Sequence, residues 1–289
     1  MTAGGERTAY QPPRQRYAVR RTLVALAVLG LLAGLGSLGV FTARWLTGPT
    51  CQASAGGQTH AFTPEQMGNA SVIAAVALQR GLPARAVTIA MATAIQESGL
   101  RNLDHGDRDS VGLFQQRPSQ GWGSVEEIMD PVYSAGKFYD ALVKVDGYQD
   151  LPITEVAQEV QRSAYPSAYA DHESEGRVLA STLAGHSPAG LACRLGGAEQ
   201  PGDTAAIRTA VLAQLGASAT AQGRELTIFS SSAEHAWQSA SWAVAQAQTY
   251  GVQRVTVAGR AWERGRGGLE WSTTDGSATD TTVRITLAD

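Results

Sequence analysis

Residues 94–123 read AIQESGLRNLDHGDRDSVGLFQQRPSQGWG. An apolar helical pattern from Val87 to Ile95 runs straight into a carboxylate, Glu97, and a polar loop follows it. That loop carries three more acids, Asp104, Asp107 and Asp109, and then Gly112-Leu113-Phe114-Gln115. A carboxyl group held among apolar side chains is poorly solvated when charged, so it resists ionisation and can deliver a proton near neutral pH. Glycoside cleavage needs such a group, because a proton must reach the leaving oxygen as the sugar becomes oxocarbenium-like. By residue type alone, a Glu near a helix end is more often just solvated. The decision therefore rests on what surrounds it.

Working outward, Thr63-Pro64-Glu65-Gln66 reads as a helix start. Thr63 caps, Pro64 suits the first helical position and Gln66 completes a capping box. This helix is expected to reach Arg80, where Gly81 ends it, and a second begins near Pro83 and runs to Glu97. Ser124 and Glu127 form another capping box, and Asp130-Pro131 opens a helix through about Lys144. Ile153–Ser163 and Ser167–Leu183 read as two more helices. After Gly196-Gly197 the pattern changes. A helix over 204–215 precedes the strand candidate ELTIFSS, Ala233–Tyr250 is helical, and VQRVTVAG and VRITLA are β-rich. The expected fold is a mainly α domain over 61–198 and a small two-layer α/β domain over 203–289.

The chain has 289 residues, 43% of them apolar and 17% charged, with a net charge of −3. No global basic field points to nucleic acid. Leu23 to Ala43 carries no charged side chain, with Arg14, Arg16, Arg20 and Arg21 before it and Arg44 behind. About 20 such residues cross a membrane, and the arginine bias puts residues 1–21 in the cytoplasm and the bulk outside. The expectation is a single-pass signal-anchor over 22–46, in a protein of the cell membrane, with 47–60 (GPTCQASAGG at its centre) as a flexible linker. The rival is a cleaved export signal and a secreted protein, although a signal core is typically about 7–15 residues.

Glu97-Ser98, followed at this spacing by Gly112-Leu113-Phe114-Gln115, resembles the lysozyme-like lytic transglycosylases. The segment GDRDSVGLFQ is also similar to goose-type lysozymes, and the resemblance covers roughly residues 60–185. It implies a lysozyme-like fold and an enzyme, a lytic transglycosylase or hydrolase, that cuts the MurNAc-β-1,4-GlcNAc bond of peptidoglycan without cofactor. By position, Glu97 becomes the catalytic acid and then base, and Gln115 lines the sugar groove. Asp107 matches the goose-type carboxylate that orients water; without such an acid, the substrate's own hydroxyl attacks and leaves an anhydro-sugar. The family's third segment, usually Ala-Tyr-Asn-Ala-Gly, reads VQRSAYPSAY here (Val160 to Tyr169), and Gln161 and Tyr165 are the candidates for its substrate contacts. That departure keeps open an alternative, a non-catalytic peptidoglycan-binding scaffold of envelope assembly.

The segments GVQRVTVAGRAWERGRG and GSATDTTVRITL resemble a small α/β domain found beside actinobacterial cell-wall enzymes. Where relatives carry an Asp-His-Val-His metal motif, this chain has Thr281-Thr282-Val283-Arg284. A metal peptidase is not expected. The resemblance leaves this domain to position the enzyme on the wall or on an envelope protein partner.

The remaining candidates read more plainly. The three loop acids lack the liganding Glu and turn glycine of a calcium loop, and Asp104 suits an Asx turn. His60, His105, His172, His186 and His235 are scattered without metal-ligand spacing, so no metal is expected. Trp122 and Tyr133 suit either sugar stacking or core packing. Cys51 and Cys193 are the only cysteines and have no competitor, so a disulfide is expected, with two free thiols as the alternative. It would close a loop worth on the order of 4–5 kcal/mol, with Cα atoms about 4.4–6.8 Å apart.

Overall fold

A Gly-Gly pair decides how the chain enters its fold. Gly56 and Gly57 both have positive φ, 58° and 77°, as a two-residue hairpin turn with the right twist requires. They join strands β1 (Thr50–Ala55) and β2 (Gln58–Phe62). In the computed structural model, residues 48–161, 166–274 and 280–289 are described. Strand β3 (Leu191–Arg194) pairs with the other side of β1, giving an antiparallel sheet of order β2-β1-β3. The expected linker over 47–60 is thus corrected to a hairpin from residue 50 onward. Its composition is that of a tether, but Cys51 and Ala53 alternate onto a buried face, and period-2 burial makes a strand.

Cys51 and Cys193 stand directly opposite on β1 and β3 and form the expected disulfide. Their Cα atoms are 3.9 Å apart, closer than the expected range. The register favours a short separation. Ser54 N donates to Gly190 O at 2.7 Å, which puts the cysteines at a non-hydrogen-bonded pair, where antiparallel strands approach most closely.

Helices α1 (Pro64–Gln79), α2 (Ala84–Ser98), α3 (Val125–Met129), α4 (Pro131–Leu142), α5 (Ile153–Gln161) and α6 (Glu173–Leu183) follow β2, with a 3-10 turn, Pro166–His172, leading into α6. The capping boxes at Thr63 and Ser124 form as expected, and Asp130 caps α4 through the backbone N–H of Val132. Helix α2 is the central rod, buried at every residue from Ala86 to Ala94. Helix α6 lies close against it because Gly176 has no side chain; a Cβ there would sit 2.7 Å from Thr88 O.

The second half supplies α7 (Thr204–Ala210), which continues into a wider turn over Val211–Leu215, then α8 (Ala233–Ala245) and α9 (Ala247–Tyr250). Its strands are β4 (Ala219–Gln222), β5 (Glu225–Phe229), β6 (Val252–Val257), β7 (Arg260–Glu263), β8 (Ser272–Thr273) and β9 (Thr282–Leu287). They form one antiparallel sheet of order β4-β5-β9-β6-β7-β8. Leu226, Ile228, Val255, Trp262, Val283 and Ile285 fill its inner face, against α8.

The expected fold, a mainly α lysozyme-like domain with a small α/β appendage, is therefore corrected. The protein is mixed α/β, with two antiparallel sheets, one of them six-stranded. Strands β3, β4 and β7 have only four residues each and β1 is built of small and polar ones, so nothing local announces them; their partners in the sheet do. Pro49–Asp289 form one compact unit. The expected boundary near 198–203 runs through a shared core, where Gln246 Nε2 donates to Gly68 O at 3.0 Å.

The single-pass topology is corrected as well. Among the described residues no helix is long and apolar enough to cross a membrane, and the run over 22–46 lies outside them. The signal-anchor, the cell-membrane location and the topology built on them are not carried further.

Candidate active site around Glu97

Helix α2 ends by backbone closure. Gly99 N donates to Ile95 O at 2.8 Å and Leu100 N to Ala94 O at 3.1 Å, the paired bonds of a left-handed helix stop. The last turn thereby presents Glu97 half-buried and Ser98 buried. Helix α1 fixes the carbonyls beyond the stop. Gln66 Nε2 donates to Gly99 O at 2.9 Å and Asn69 Nδ2 to Leu100 O at 2.8 Å.

The Gly112–Gln115 segment is a tight turn. Val111 and Gln116 exchange backbone hydrogen bonds of 3.0 Å across it. Leu113 and Phe114 at its tip are fully buried, and the Phe114 ring stacks on Phe138 of α4 with centroids 4.5 Å apart. Two side chains take the carbonyls of the tip. Ser98 Oγ donates to Leu113 O at 2.8 Å, with Ala94 O at 3.0 Å as its other acceptor. Gln161 Nε2, at the end of α5, donates to Phe114 O at 2.7 Å. The turn is thus tied to α2 and α5, beside Glu97.

Among the described residues Glu97 has one side-chain partner. Tyr169 Oη donates to Glu97 Oε1 at 2.6 Å from a fully buried ring. A hydrogen bond of that length to a carboxyl oxygen fixes its orientation, and Oε2 is left without a partner among the described residues. Tyr169 arrives by way of packing. Gly176 draws α6 onto α2, and the 3-10 turn that leads into α6 carries Tyr169 to the end of α2.

The other candidates fall differently. Gln115 has a positive φ of 48°, and its amide turns back into the loop. Its Nε2 lies 3.3 Å from both His105 O and Gly112 O, and its Oε1 accepts from Ser110 Oγ at 3.1 Å. The Asp107 side chain is 91% exposed, with Arg108 Nε 3.9 Å away. Asp109 is structural. It accepts from Arg117 Nε at 2.7 Å, from Ser119 N at 2.8 Å and from Ser119 Oγ at 3.0 Å. These bonds, Arg117's first, hold its carboxyl well below the usual carboxylate range. A hydrogen bond from His105, followed by its charge, lowers Asp104. Tyr133 has Lys137 Nζ over its ring at 5.3 Å.

Tyr165 lies outside the described residues. The chain carries Ser-Ala-Tyr twice, at 163–165 and 167–169; the expectation took the first copy, and the second reaches Glu97. Ser98 lies on the buried side of the last turn of α2, where its hydroxyl reaches Leu113 O. Among the described residues, no three His, Cys, Asp or Glu side chains are grouped as metal ligands would be.

No protein-family model matches the chain, and a search of curated proteins gives no match either. The site must be argued from its own geometry.

Proposed function

We propose that the protein cleaves peptidoglycan glycan strands at the MurNAc-β-1,4-GlcNAc bond, with Glu97 as the acid. The observation that carries the reading is the Glu97 carboxyl itself. It stands at the end of a buried helix, oriented through Oε1 by Tyr169, with Oε2 unpartnered among the described residues and so available to a substrate oxygen. Glu97 protonates the glycosidic oxygen as the C1–O bond breaks, and then, as carboxylate, takes a proton from the attacking hydroxyl. The tie from Ser98 to Leu113 and the tie from Gln161 to Phe114 support the reading by holding the turn rigid beside the acid.

The exposure of Asp107 favours the one-carboxylate route. An inverting hydrolase holds a second carboxylate about 6.5–9.5 Å from the acid, with water between, whereas Asp107 points its side chain to solvent. The attacking hydroxyl is then the substrate's own, and the product end is an anhydro-sugar. The test is digestion of purified sacculi by the full chain, with analysis of the released muropeptides. Anhydro ends from wild type and none from Glu97→Gln are expected. Equal release by both proteins would refute the reading. Binding to sacculi without turnover would instead favour the scaffold, which the altered segment at Val160–Tyr169 keeps in play.

A further inference from the structure

A cleft of about 420 Å³ opens beside Gln161, bounded among others by Gln120, Trp122, Lys144 and Glu159. Three parts of the fold meet there: the loop after Pro118–Gln120, the chain just beyond α4, and the last turn of α5. Trp122 is half-buried and packs against the core while it lines the cleft, so its indole is held in place. Lys144 and Glu159 are both exposed, and neither side chain has an ion-pair or hydrogen-bond partner among the described residues. Gln161 uses its Nε2 on Phe114 O, and its Oε1 has no partner among the described residues.

An uncommitted ammonium and an uncommitted carboxylate on separate elements of one cleft suit a ligand that carries both charges. A neutral sugar can hydrogen-bond to either group but leaves both charges unbalanced. We propose that this cleft binds the peptide stem of peptidoglycan, an inference that rests on the reading of Glu97 as the glycan-cleaving acid. The stem ends in a free carboxylate, which pairs with Lys144, and its diamino acid bears a free ammonium, which pairs with Glu159. The Trp122 indole covers the aliphatic part of the stem. Gln161 Oε1 accepts a stem amide N–H, and its Nε2 ties the stem-binding residue to the turn beside Glu97. Strands bearing stems are then preferred to bare strands.

Two measurements on the full chain test this. The first compares cleavage of stem-bearing strands with cleavage of the same strands stripped of stems by an amidase. Lys144→Ala and Glu159→Gln are each expected to lower kcat/KM on stem-bearing strands about two- to fivefold more than on stripped strands, chiefly through KM, as for partly solvated ion pairs. Equal effects on both substrates, with wild-type cleavage intact, overturn the stem site and leave the Glu97 reading standing. The second measurement titrates a soluble stem tetrapeptide and follows the Trp122 indole N–H by NMR, assigned with Trp122→Phe. A saturable shift that Lys144→Ala weakens supports the site, and no shift overturns it. If neither kind of strand is cut, the Glu97 reading fails, and the titration alone decides whether the cleft takes stems.

Discussion

Side chains close backbone carbonyls at several places in this protein, and two of these closures work in opposite ways. At the Gly112–Gln115 turn, Leu113 O and Phe114 O are taken by a serine hydroxyl and a glutamine amide. On the outer edge of β3, Leu191 O and Cys193 O are taken by the indole N–H groups of Trp271 and Trp262, at 2.8 and 3.1 Å. The polar donors are small, and beside them stands Glu97, whose Oε2 has no partner among the described residues. The indoles cover their carbonyls with bulk, Trp262 fully buried and Trp271 half-buried against Trp237 at 5.2 Å. An open strand edge invites foreign pairing, so the second device protects the fold, whereas the first holds a reactive group still.

The largest expected effect breaks the chemistry alone. Glu97→Gln should cost about 10²- to 10⁴-fold in glycan cleavage, the usual contribution of a general acid, with the urea midpoint unmoved. A shift in that midpoint would mean Glu97 serves the fold. Next comes the covalent link beside the sealed edge. The double substitution of Cys51 and Cys193 by Ser should lower unfolding free energy by on the order of 4–5 kcal/mol at most, since 142 residues separate the partners. Equilibrium denaturation under identical buffers measures it.

A paired comparison then separates the two kinds of closure. Trp262→Phe leaves Cys193 O without its indole donor, and Ser98→Ala does the same to Leu113 O; each should cost about 1–3 kcal/mol of stability. Only Ser98→Ala should also lower cleavage, because only that bond holds the turn at Glu97. Equal activity losses would erase the distinction. The smallest effect concerns Asp109. Its folded pKa lies below the ordinary 3.8, so the unfolded chain binds the proton more readily. The stabilisation is therefore complete above about pH 4 and fades as pH falls through the folded value. Asp109→Asn should differ from wild type in thermal midpoint at pH 5, and the gap should narrow towards pH 2.

What the sequence revealed follows the same division. Caps and helix stops are local, so Thr63, Ser124 and Asp130 announce their helices, as Glu97 announces the end of α2. The alternation in ELTIF and VRITL likewise marks β5 and β9. The three-stranded sheet was illegible, since β1 and β3 lie far apart in sequence and the small, polar residues of β1 have the composition of a tether. Tyr169 was hidden for a related reason. Its contact with Glu97 depends on how closely α6 approaches α2, which Gly176 permits and no local pattern encodes. The cysteine pair was legible because arithmetic on two residues needs no geometry.

The bond between Cys51 and Cys193 also makes a ring of the chain. Everything from β1 to β3 lies inside it, including Glu97, Tyr169 and the Gly112–Gln115 turn, while α7 to β9 form a tail outside it. A protease that cuts once in the exposed loop at Asp104–Arg108 therefore releases nothing. The nicked molecule runs at full mass on an unreduced gel and separates into two pieces only after a reductant is added. A cut in the tail sheds a fragment under either condition, so a single pair of gel lanes reports on which side of Cys193 the chain was opened.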